Sequence, residues 1–170
     1  YRTDSINKSN WILSLMEDYK KEPGTQERLQ ERNPKVVNDD YVKFIRFAQE
    51  VTKEQEQAII AYIHPHSYMD NLTFRGMRWN LLKEFDEIYI LDLHGNVMSR
   101  ETFDIEGRDE NVFDIQQGVC ISFFIKNNKE SNDELAKVFY SEAFGTRVHK
   151  YDFLLRSHFS SIEWHKVMPT

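Results

Sequence analysis

Residues 85–96 read FDEIYILDLHGN and residues 111–127 read NVFDIQQGVCISFFIKN, and these two segments decide the fold. Each contains a run of β-branched and aromatic residues, EIYILDL and GVCISFFIK, that predicts a β-strand. Residues 94–117, which join the two strands, carry Gly95, Gly107 and charged residues but no helical periodicity. Parallel neighbours need a crossover connection that is usually helical, so we expect the second strand to pair antiparallel with the first.

The segment before this pair has the pattern of a parallel unit. AIIAYI (58–63) is a short continuous apolar run, as expected of a strand covered on both faces. A predicted helix opens at Thr73, and its apolar side is formed by Phe74, Met77, Leu81 and Phe85. A strand, a helix and a strand with short connections predict a right-handed parallel crossover. The predicted fold class is α/β: a mostly parallel sheet with helices on both faces and one reversed strand near its end.

Two helices are predicted before the sheet. NWILSLMEDYK (10–20) has the periodicity of an amphipathic helix. A second helix is predicted to be capped by Asn38. Its expected apolar face consists of Tyr41, Phe44, Ile45, Ala48 and Val51.

Shorter elements are predicted after the sheet. AKVFYSEAFG (136–145) predicts a short strand or turn, KYDFLLRSHF (150–159) a helix and SSIEWHKV (160–167) an edge strand. The whole chain, 1–170, is therefore expected to be a single partial domain. In this domain, residues 1–57 are helical, 58–126 form the sheet core and 127–170 lead out toward a missing domain.

Composition narrows the class of protein. Of the 170 residues 40% are hydrophobic, which argues against disorder, and no apolar run is long enough to span a membrane. The lone Cys120 lies in an apolar strand pattern and is expected to be a buried thiol in a reducing, cytoplasmic setting. The net charge of −6 counts against a free-standing nucleic-acid binder. The lack of an initiator Met predicts that the chain is a piece of a longer protein.

Three blocks of the chain resemble a known family: DDYVKFIRFAQ (39–49), YIHPHSYMDNLTFRGMRWNLLKEFDEIYILDLHGN (62–96) and DENVFDIQQGVCISFFIKN (109–127). They are similar to the DNA adenine-N6 methyltransferase module of type ISP restriction–modification enzymes. Those large single chains combine a nuclease, a helicase-like motor, a methyltransferase and a DNA-recognition domain. The similarity covers about residues 1–165, and the order of elements resembles the second half of an S-adenosylmethionine-dependent methyltransferase.

Two motifs of that family are absent. The glycine-rich turn that binds the methyl donor has no counterpart among the six scattered glycines. The catalytic Asn-Pro-Pro-Tyr tetrapeptide is also missing, although the resemblance matches Tyr1 to its last residue, with an ordinary exposed terminus as the alternative. We therefore expect a fragment that is inactive alone. In the intact enzyme, the resemblance implies S-adenosylmethionine as cofactor and double-stranded DNA as partner, and the fragment alone is not expected to bind the cofactor.

The resemblance also implies roles for five residues. Phe113 matches the aromatic residue that stacks on a base extruded from the duplex, with core packing as the alternative. Phe44 matches an aromatic contact to the adenine ring of the donor, and simple core packing explains it equally well. His66, Ser67 and Tyr68 belong to a loop that lines the cleft. No metal is expected, because the His-Pro-His of this loop supplies too few ligands.

Charged residues near these positions have less specific interpretations. Arg75, Arg78 and Lys83 are predicted to lie on an exposed helix face that is simply solvated, with DNA-backbone contact as the second interpretation. The acidic loop RETFDIEGRDEN (100–111) would repel phosphate unless it moves when a duplex binds.

Two other functions stay open at this point. One is a non-catalytic interaction or structural module left from such an enzyme, and the other is a methyltransferase of RNA or protein. An α/β fold alone does not decide among them. Loss of the donor-binding half would expose a sheet edge and an apolar patch, so we expect the fragment to form a homo-oligomer through that sheet.

Overall fold

The computed structural model describes residues 7–31, 34–96, 109–127 and 134–169. The helices in these ranges are α1 (Asn10–Met16), α2 (Asp40–Thr52), α3 (Arg75–Glu84) and α4 (Arg147–Arg156). The strands are β1 (Gln57–Pro65), β2 (Glu87–Asp92), β3 (Val119–Asn127), β4 (Lys137–Glu142) and β5 (His165–Val167). None of the described helices has the length and apolar character needed to span a lipid bilayer.

The five strands form one mixed sheet in the order β1-β3-β2-β4-β5. Strand β3 runs antiparallel to β2, as predicted: Leu93 N–H donates to Val119 O at 2.9 Å and Asp86 N–H donates to Ile125 O at 2.9 Å. β2 pairs parallel with β4, and β4 pairs antiparallel with β5. The prediction of a mostly parallel sheet is therefore wrong. The reversed strand β3 lies between β1 and β2, so these two strands are not the adjacent parallel pair that a simple crossover would give.

The described residues group into two compact units. Helices α1, α2 and α3 belong to the first unit, and α4 belongs to the second. The first unit takes the described residues up to Ile60, Tyr68–Asp86 and Phe124–Ala136; the second takes Ala61–Ser67, Glu87–Phe123 and the described residues from Lys137. The expectation of one partial domain divided at 57 and 126 stays a prediction.

Helix α2 begins one residue later than predicted, and of its predicted apolar face only Tyr41 and Ile45 are buried. Its N-cap is Asp39, whose carboxylate accepts from Tyr41 N–H at 3.4 Å, because a 3₁₀ helix occupies Pro34–Asn38. Phe44 and Val51, predicted to be core residues, are 61% and 58% exposed. The buried face also includes three polar residues, Lys43, Arg46 and Gln49, that bond to other parts of the unit. The buried residues of α2 are Tyr41, Val42, Lys43, Ile45, Arg46 and Gln49.

Strand β1 also departs from its prediction. Residues along it alternate between exposed and partly buried, and Ile59 and Ile63 are 69% and 39% exposed. An apolar run was expected to be covered on both faces, but only one face of this edge strand is covered within the described residues. The sequence could not show this because its apolar residues occur on both faces.

Helix α3 packs closely against the segment after α1. A short 3₁₀ helix, Leu72–Phe74, precedes it and begins where Asn71 Oδ1 accepts from Thr73 N–H at 2.9 Å. A Cβ atom at Gly76 would lie 2.5 Å from Tyr19 O and 2.4 Å from Lys21 O. These distances leave room for a hydrogen atom only, so α3 can pack here because residue 76 is glycine.

The predicted exposed basic face of α3 is largely engaged in the structure. The Arg75 guanidinium donates to Glu22 Oε2 at 2.7 Å and also pairs with Glu31. Arg78 Nη1 donates to the carbonyls of Tyr68 and Asn71, each at 2.8 Å. These two arginines therefore stabilise the first unit, whereas Lys83 is exposed.

The second unit has an aromatic cluster over one part of its sheet. Tyr89 stacks on Phe139 with ring centroids 4.6 Å apart, and the rings of Phe159 and Trp164 contact Tyr89 edge-on. This packing explains why the chain after α4 folds back as strand β5, an edge strand that the sequence predicted. Helix α4 is also confirmed, and it is capped by Thr146 Oγ1, which accepts from His149 N–H at 3.3 Å.

We expect Gly76→Ala to destabilise the protein by about 1–3 kcal/mol, because the added methyl group clashes with two backbone carbonyls. In an unconstrained helix the same change would stabilise by up to about 1 kcal/mol. Urea unfolding measures the difference. Lys83→Ala, an exposed change on the same helix, serves as the control and should stay within about 0.5 kcal/mol of the original. A stabilised Gly76→Ala protein would contradict the close packing of α3.

Candidate functional site

The turn before β3, residues 109–118, carries the sequence-predicted Phe113, and we call it the Phe113 turn. The Phe113 ring is 44% exposed, whereas the preceding Val112 is 2% exposed and packs in the core of the second unit. Core packing, the alternative interpretation of Phe113, therefore does not describe its position. The ring lies at the surface, directly before the reversed strand.

Asn111 organises the Phe113 turn from within. Its Oδ1 accepts from Phe113 N–H at 2.9 Å, and its Nδ2 donates to Gly95 O at 3.0 Å and to Gln117 O at 2.7 Å. Gly95 has a φ of +80°, and a Cβ atom there would lie 2.4 Å from Asn111 Cα. The buried Asn111 amide therefore joins both ends of the turn to the segment after β2.

The described end of the acidic loop has a structural role. Asp109, whose side chain is 5% exposed, pairs with the buried Lys150 at 2.7 Å and accepts from Gly95 N–H and Gly145 N–H at 2.7 and 2.9 Å. The Glu110 carboxylate accepts from Arg147 N–H at 2.8 Å. Both carboxylates hold the turn in place; the Asp109 carboxylate is buried, whereas Glu110 is exposed.

His66 and Ser67, both predicted to line a cleft, lie beside the Phe113 turn. His66 N–H donates to Gly118 O at 3.0 Å, and a Cβ atom at Gly118 would lie 2.4 Å from His66 Nε2. Ser67 Oγ accepts from Gln117 Nε2 at 3.2 Å. The third residue of this set, Tyr68, is 3% exposed and belongs to the first unit.

Sequence reasoning missed Asp92, which holds His66 in place. His66 Nδ1 donates to Asp92 Oδ1 at 3.0 Å, and the Asp92 side chain is 5% exposed. Burial alone would raise the pKa of the Asp92 carboxyl, but the hydrogen bond from His66 and the nearby His94 outweigh burial and lower it. The signal in the sequence was the position of Asp92 at the carboxyl end of a predicted strand, where open α/β sheets place their sites.

The Asp92 carboxylate is part of a wider polar network that extends to the surface at Glu142, whose side chain is 47% exposed. Tyr140 O–H donates to Glu142 Oε2 at 3.0 Å and lies 3.4 Å from Asp92 Oδ2. Burial, followed by the charge of Asp92 and the Glu142 interactions, raises the pKa of the Tyr140 hydroxyl, which stays a hydrogen-bond donor. His94 has a φ of +49° and stacks on Phe144 with centroids 3.9 Å apart. In the described ranges no group of three or more His, Cys, Asp or Glu side chains is arranged to hold a metal ion.

His64 lies in a second polar cluster with the lone cysteine. His64 Nδ1 donates to Pro65 O at 2.9 Å, so in the neutral ring Nε2 accepts from Ser122 O–H at 2.9 Å. Burial lowers the pKa of His64 to about 4. Cys120 Sγ lies 3.9 Å from this ring and is buried, as predicted, and burial raises the pKa of its thiol.

Phe44 lines a cavity of about 430 Å³ in the first unit. Two further aromatic rings line the same cavity, and Trp11 and Phe47 meet edge-to-face with centroids 6.0 Å apart. The polar side chains in the lining are Asn7, Asp40 and Lys43. Tyr1, matched to the end of the catalytic tetrapeptide, lies outside the described residues.

We expect the stability of the protein to fall by about 2 kcal/mol between about pH 7.5 and about pH 5, because the unfolded chain protonates His64 at its ordinary pKa near 6.5 and the folded chain does not. The stability that the neutral, buried His64 contributes is fully present above about pH 6.5 and is lost as the pH falls from there through about 4. Urea unfolding of His64→Gln should show a smaller loss over the same interval. His165→Gln, at an exposed position of β5, is the control. An unchanged pH dependence in His64→Gln would contradict the burial of a neutral imidazole.

Comparisons with known families and curated proteins gave no match to a family model and no match to a curated protein. Solved structures do match. The chain is similar to part of the DrdV–DNA complex solved by cryo-electron microscopy, with 27% identity, a TM-score of 0.67 and coverage of 83% of this chain and 13% of that chain.

Two enzymes described as Type ISP restriction–modification enzymes share the fold. One is LlaBIII bound to DNA, with 22% identity, a TM-score of 0.76 and coverage of 99% of this chain and 11% of that chain. The other is a nuclease-deletion mutant of LlaGI in complex with a DNA substrate mimic, with 24% identity, a TM-score of 0.76 and coverage of 96% and 15%. The chain therefore has the fold of a portion of these large proteins and spans 11–15% of the length of the three matched chains.

Proposed function

We propose that this chain contributes the target-base side of the active site in a DNA adenine-N6 methyltransferase of a restriction–modification protein. The observation that carries the proposal is the Phe113 ring, which is 44% exposed on a turn whose backbone is held by hydrogen bonds. An enzyme that modifies a base within a duplex has to extrude that base and supply a surface that offsets the lost stacking. An anchored, exposed aromatic ring meets this requirement.

The similar structures support a DNA-interacting role in a restriction–modification system. All three are complexes with DNA or a DNA mimic, and two are named as Type ISP enzymes. The reversed strand β3, which follows the Phe113 turn directly, supports a methyltransferase fold in part, since that fold carries one reversed strand near its end, whereas β5 adds a second antiparallel strand here. Adenine as the target and the methyl-transfer activity itself rest on the resemblance of the sequence.

The cavity beside Phe44 fits the adenine ring of S-adenosylmethionine. Its lining contains three aromatic side chains, and those of Trp11, Phe44 and Phe47 are 50%, 61% and 48% exposed. Flat apolar surfaces of this kind contact a heterocycle favourably, and Asp40 and Lys43 add polar groups. The donor, when bound, supplies an activated methyl group. In this proposal Phe44 contributes binding and orientation to the reaction.

We expect Phe113→Ala in the full-length protein to lower kcat/KM for adenine methylation by about 5- to 150-fold, because one base–aromatic stack is lost. Phe113→Tyr keeps the ring and should retain most of the activity. Transfer of a labelled methyl group to a duplex with a single target measures the rates. The matched control is Leu155→Ala, which removes an apolar side chain that is 84% exposed on α4. Normal methylation by Phe113→Ala would rule out the stacking role.

We expect Phe44→Ala in the full-length protein to weaken binding of S-adenosylmethionine by about 2- to 12-fold, since an aromatic contact contributes about 0.5–1.5 kcal/mol. Isothermal titration with the donor alone measures the change, so the result does not depend on DNA. Val51→Ala is the control, because Val51 is 58% exposed on the same helix but does not line the cavity. Equal affinities for Phe44→Ala and the unmodified protein would remove Phe44 from the donor site.

A further inference from the structure

Side chains of α4 hold the backbone of the Phe113 turn at four successive residues. The carbonyl oxygens of residues 110–113 each accept a hydrogen bond from this helix, and the donors come from three side chains. The contacts are Lys150 Nζ to Glu110 O at 2.7 Å, Arg147 Nε to Asn111 O at 2.8 Å, Tyr151 O–H to Val112 O at 2.5 Å and Arg147 Nη2 to Phe113 O at 3.1 Å.

The three donors form one face of α4, because positions 147, 150 and 151 are spaced i, i+3 and i+4. Asn111 and Val112 are 5% and 2% exposed, so the carbonyls in this part of the turn need donors from the protein. The side chains of α4 supply these donors, and ordering such long side chains costs conformational entropy. The helix therefore satisfies carbonyls that folding removes from water and, in doing so, restricts the conformation of the turn.

The restriction is centred on Phe113. Asn111 accepts from its N–H, and Arg147 donates to its C=O, so both backbone groups of this one residue are held. The same guanidinium pairs with Asp114 at 2.7 Å, on the other side of Phe113. The backbone of Phe113 is thus held on both sides while its ring is 44% exposed. Such an arrangement fixes the direction of the Cα–Cβ bond from which the ring extends and so limits the positions that the ring can take.

We propose that Arg147 and Tyr151 are positioning residues for the target base and that they act through Phe113. This inference rests on the proposed function, in which the base stacks on that ring. A surface that is ordered before the base arrives pays its ordering cost during folding, so more of the stacking energy is available to hold the extruded base. Neither side chain touches the base in this proposal. Arg147 already donates to two carbonyls and a carboxylate, which is the recognition geometry of a guanidinium fork.

The kinetic test uses the full-length protein and a duplex with 2-aminopurine at the target adenine, whose fluorescence reports extrusion. Arg147→Met should lower the fluorescence increase and reduce kcat/KM for methylation of the unlabelled duplex by about 10- to 100-fold, because the ring is no longer held in a productive position. Tyr151→Phe, a milder change that removes only one oxygen, should reduce kcat/KM by about fivefold. Arg156→Met is the control, since it removes a charge that is 78% exposed on the same helix.

A double-mutant cycle separates positioning from a direct DNA contact. If Arg147 acts through Phe113, Arg147→Met has little further effect in a Phe113→Ala background. Fully additive losses would overturn the inference, because Arg147 would then contribute elsewhere, for example at a phosphate. Normal rates for Arg147→Met and Tyr151→Phe, with Phe113→Ala impaired, would also overturn it and leave the proposed function standing. A fully active Phe113→Ala would instead defeat the proposed function, and the inference with it.

A readout that does not depend on activity tests whether the ring is held. With 4-trifluoromethylphenylalanine at position 113 of the full-length protein, we expect one sharp fluorine NMR resonance in the absence of DNA. Arg147→Met should broaden this resonance or move it toward the value of an unfolded peptide, and Arg156→Met should not. Arg147→Lys, which can donate to one carbonyl but cannot form the planar fork, should give an intermediate spectrum. Identical spectra for all four proteins would overturn the positioning role.

Discussion

The second unit depends on the hydrogen bonds that the buried ammonium group of Lys150 donates. The residue is 0% exposed, and Nζ lies 2.7 Å from each of its three acceptors, Asp109 Oδ1, Leu93 O and Glu110 O. Desolvating an ammonium ion costs several kcal/mol, and that cost is offset here because each of the three protons has an acceptor. The end of β2, the start of the Phe113 turn and α4 therefore have to meet at this point.

This constraint explains how one residue can be both anchored and exposed. Lys150 attaches α4 to the start of the Phe113 turn, and the neighbouring side chains of the helix then reach the following carbonyls. His66, held by Asp92, contacts Gly118 at the other end of the turn. Both ends are fixed by buried polar groups, while the ring of Phe113 extends outward. Buried charges are expensive ways to hold a loop, so the geometry of this loop is expected to serve a purpose other than stability.

The sequence predicted the parts of this fold that depend on local pattern. The lack of a helical pattern in the sequence of residues 94–117 correctly predicted that β3 is reversed, and polar neighbours correctly indicated that Phe113 is not a core residue. Patterns failed where partners are distant in the chain. Nothing local distinguishes Lys150 from an exposed lysine, because its acceptors lie in two other segments. The burial of Arg46 likewise depends on its hydrogen bond to Leu15 O. Because of such polar contacts, the buried face of α2 differs from the face that hydrophobicity alone predicted.

The net charge of −6 counted against DNA as a partner. The structure weakens this argument, because some of the acidic residues near the Phe113 turn are buried and paired. At physiological salt the field of a charge is largely screened beyond about 8–10 Å, so the charges near the ligand decide more than the net charge. Among the described residues near the Phe113 turn, Asp109 is neutralised by Lys150, and Asp92 accepts hydrogen bonds from His66 and from the backbone of His94. Each of these two carboxylates is 5% exposed, so neither presents an open negative surface to a phosphate. Glu110 and Asp114 of the same turn are exposed, and the Asp114 side chain is 91% exposed beside Arg147. The acidic composition near the proposed base-stacking surface is therefore only partly accounted for by the internal bonds that hold that surface in place.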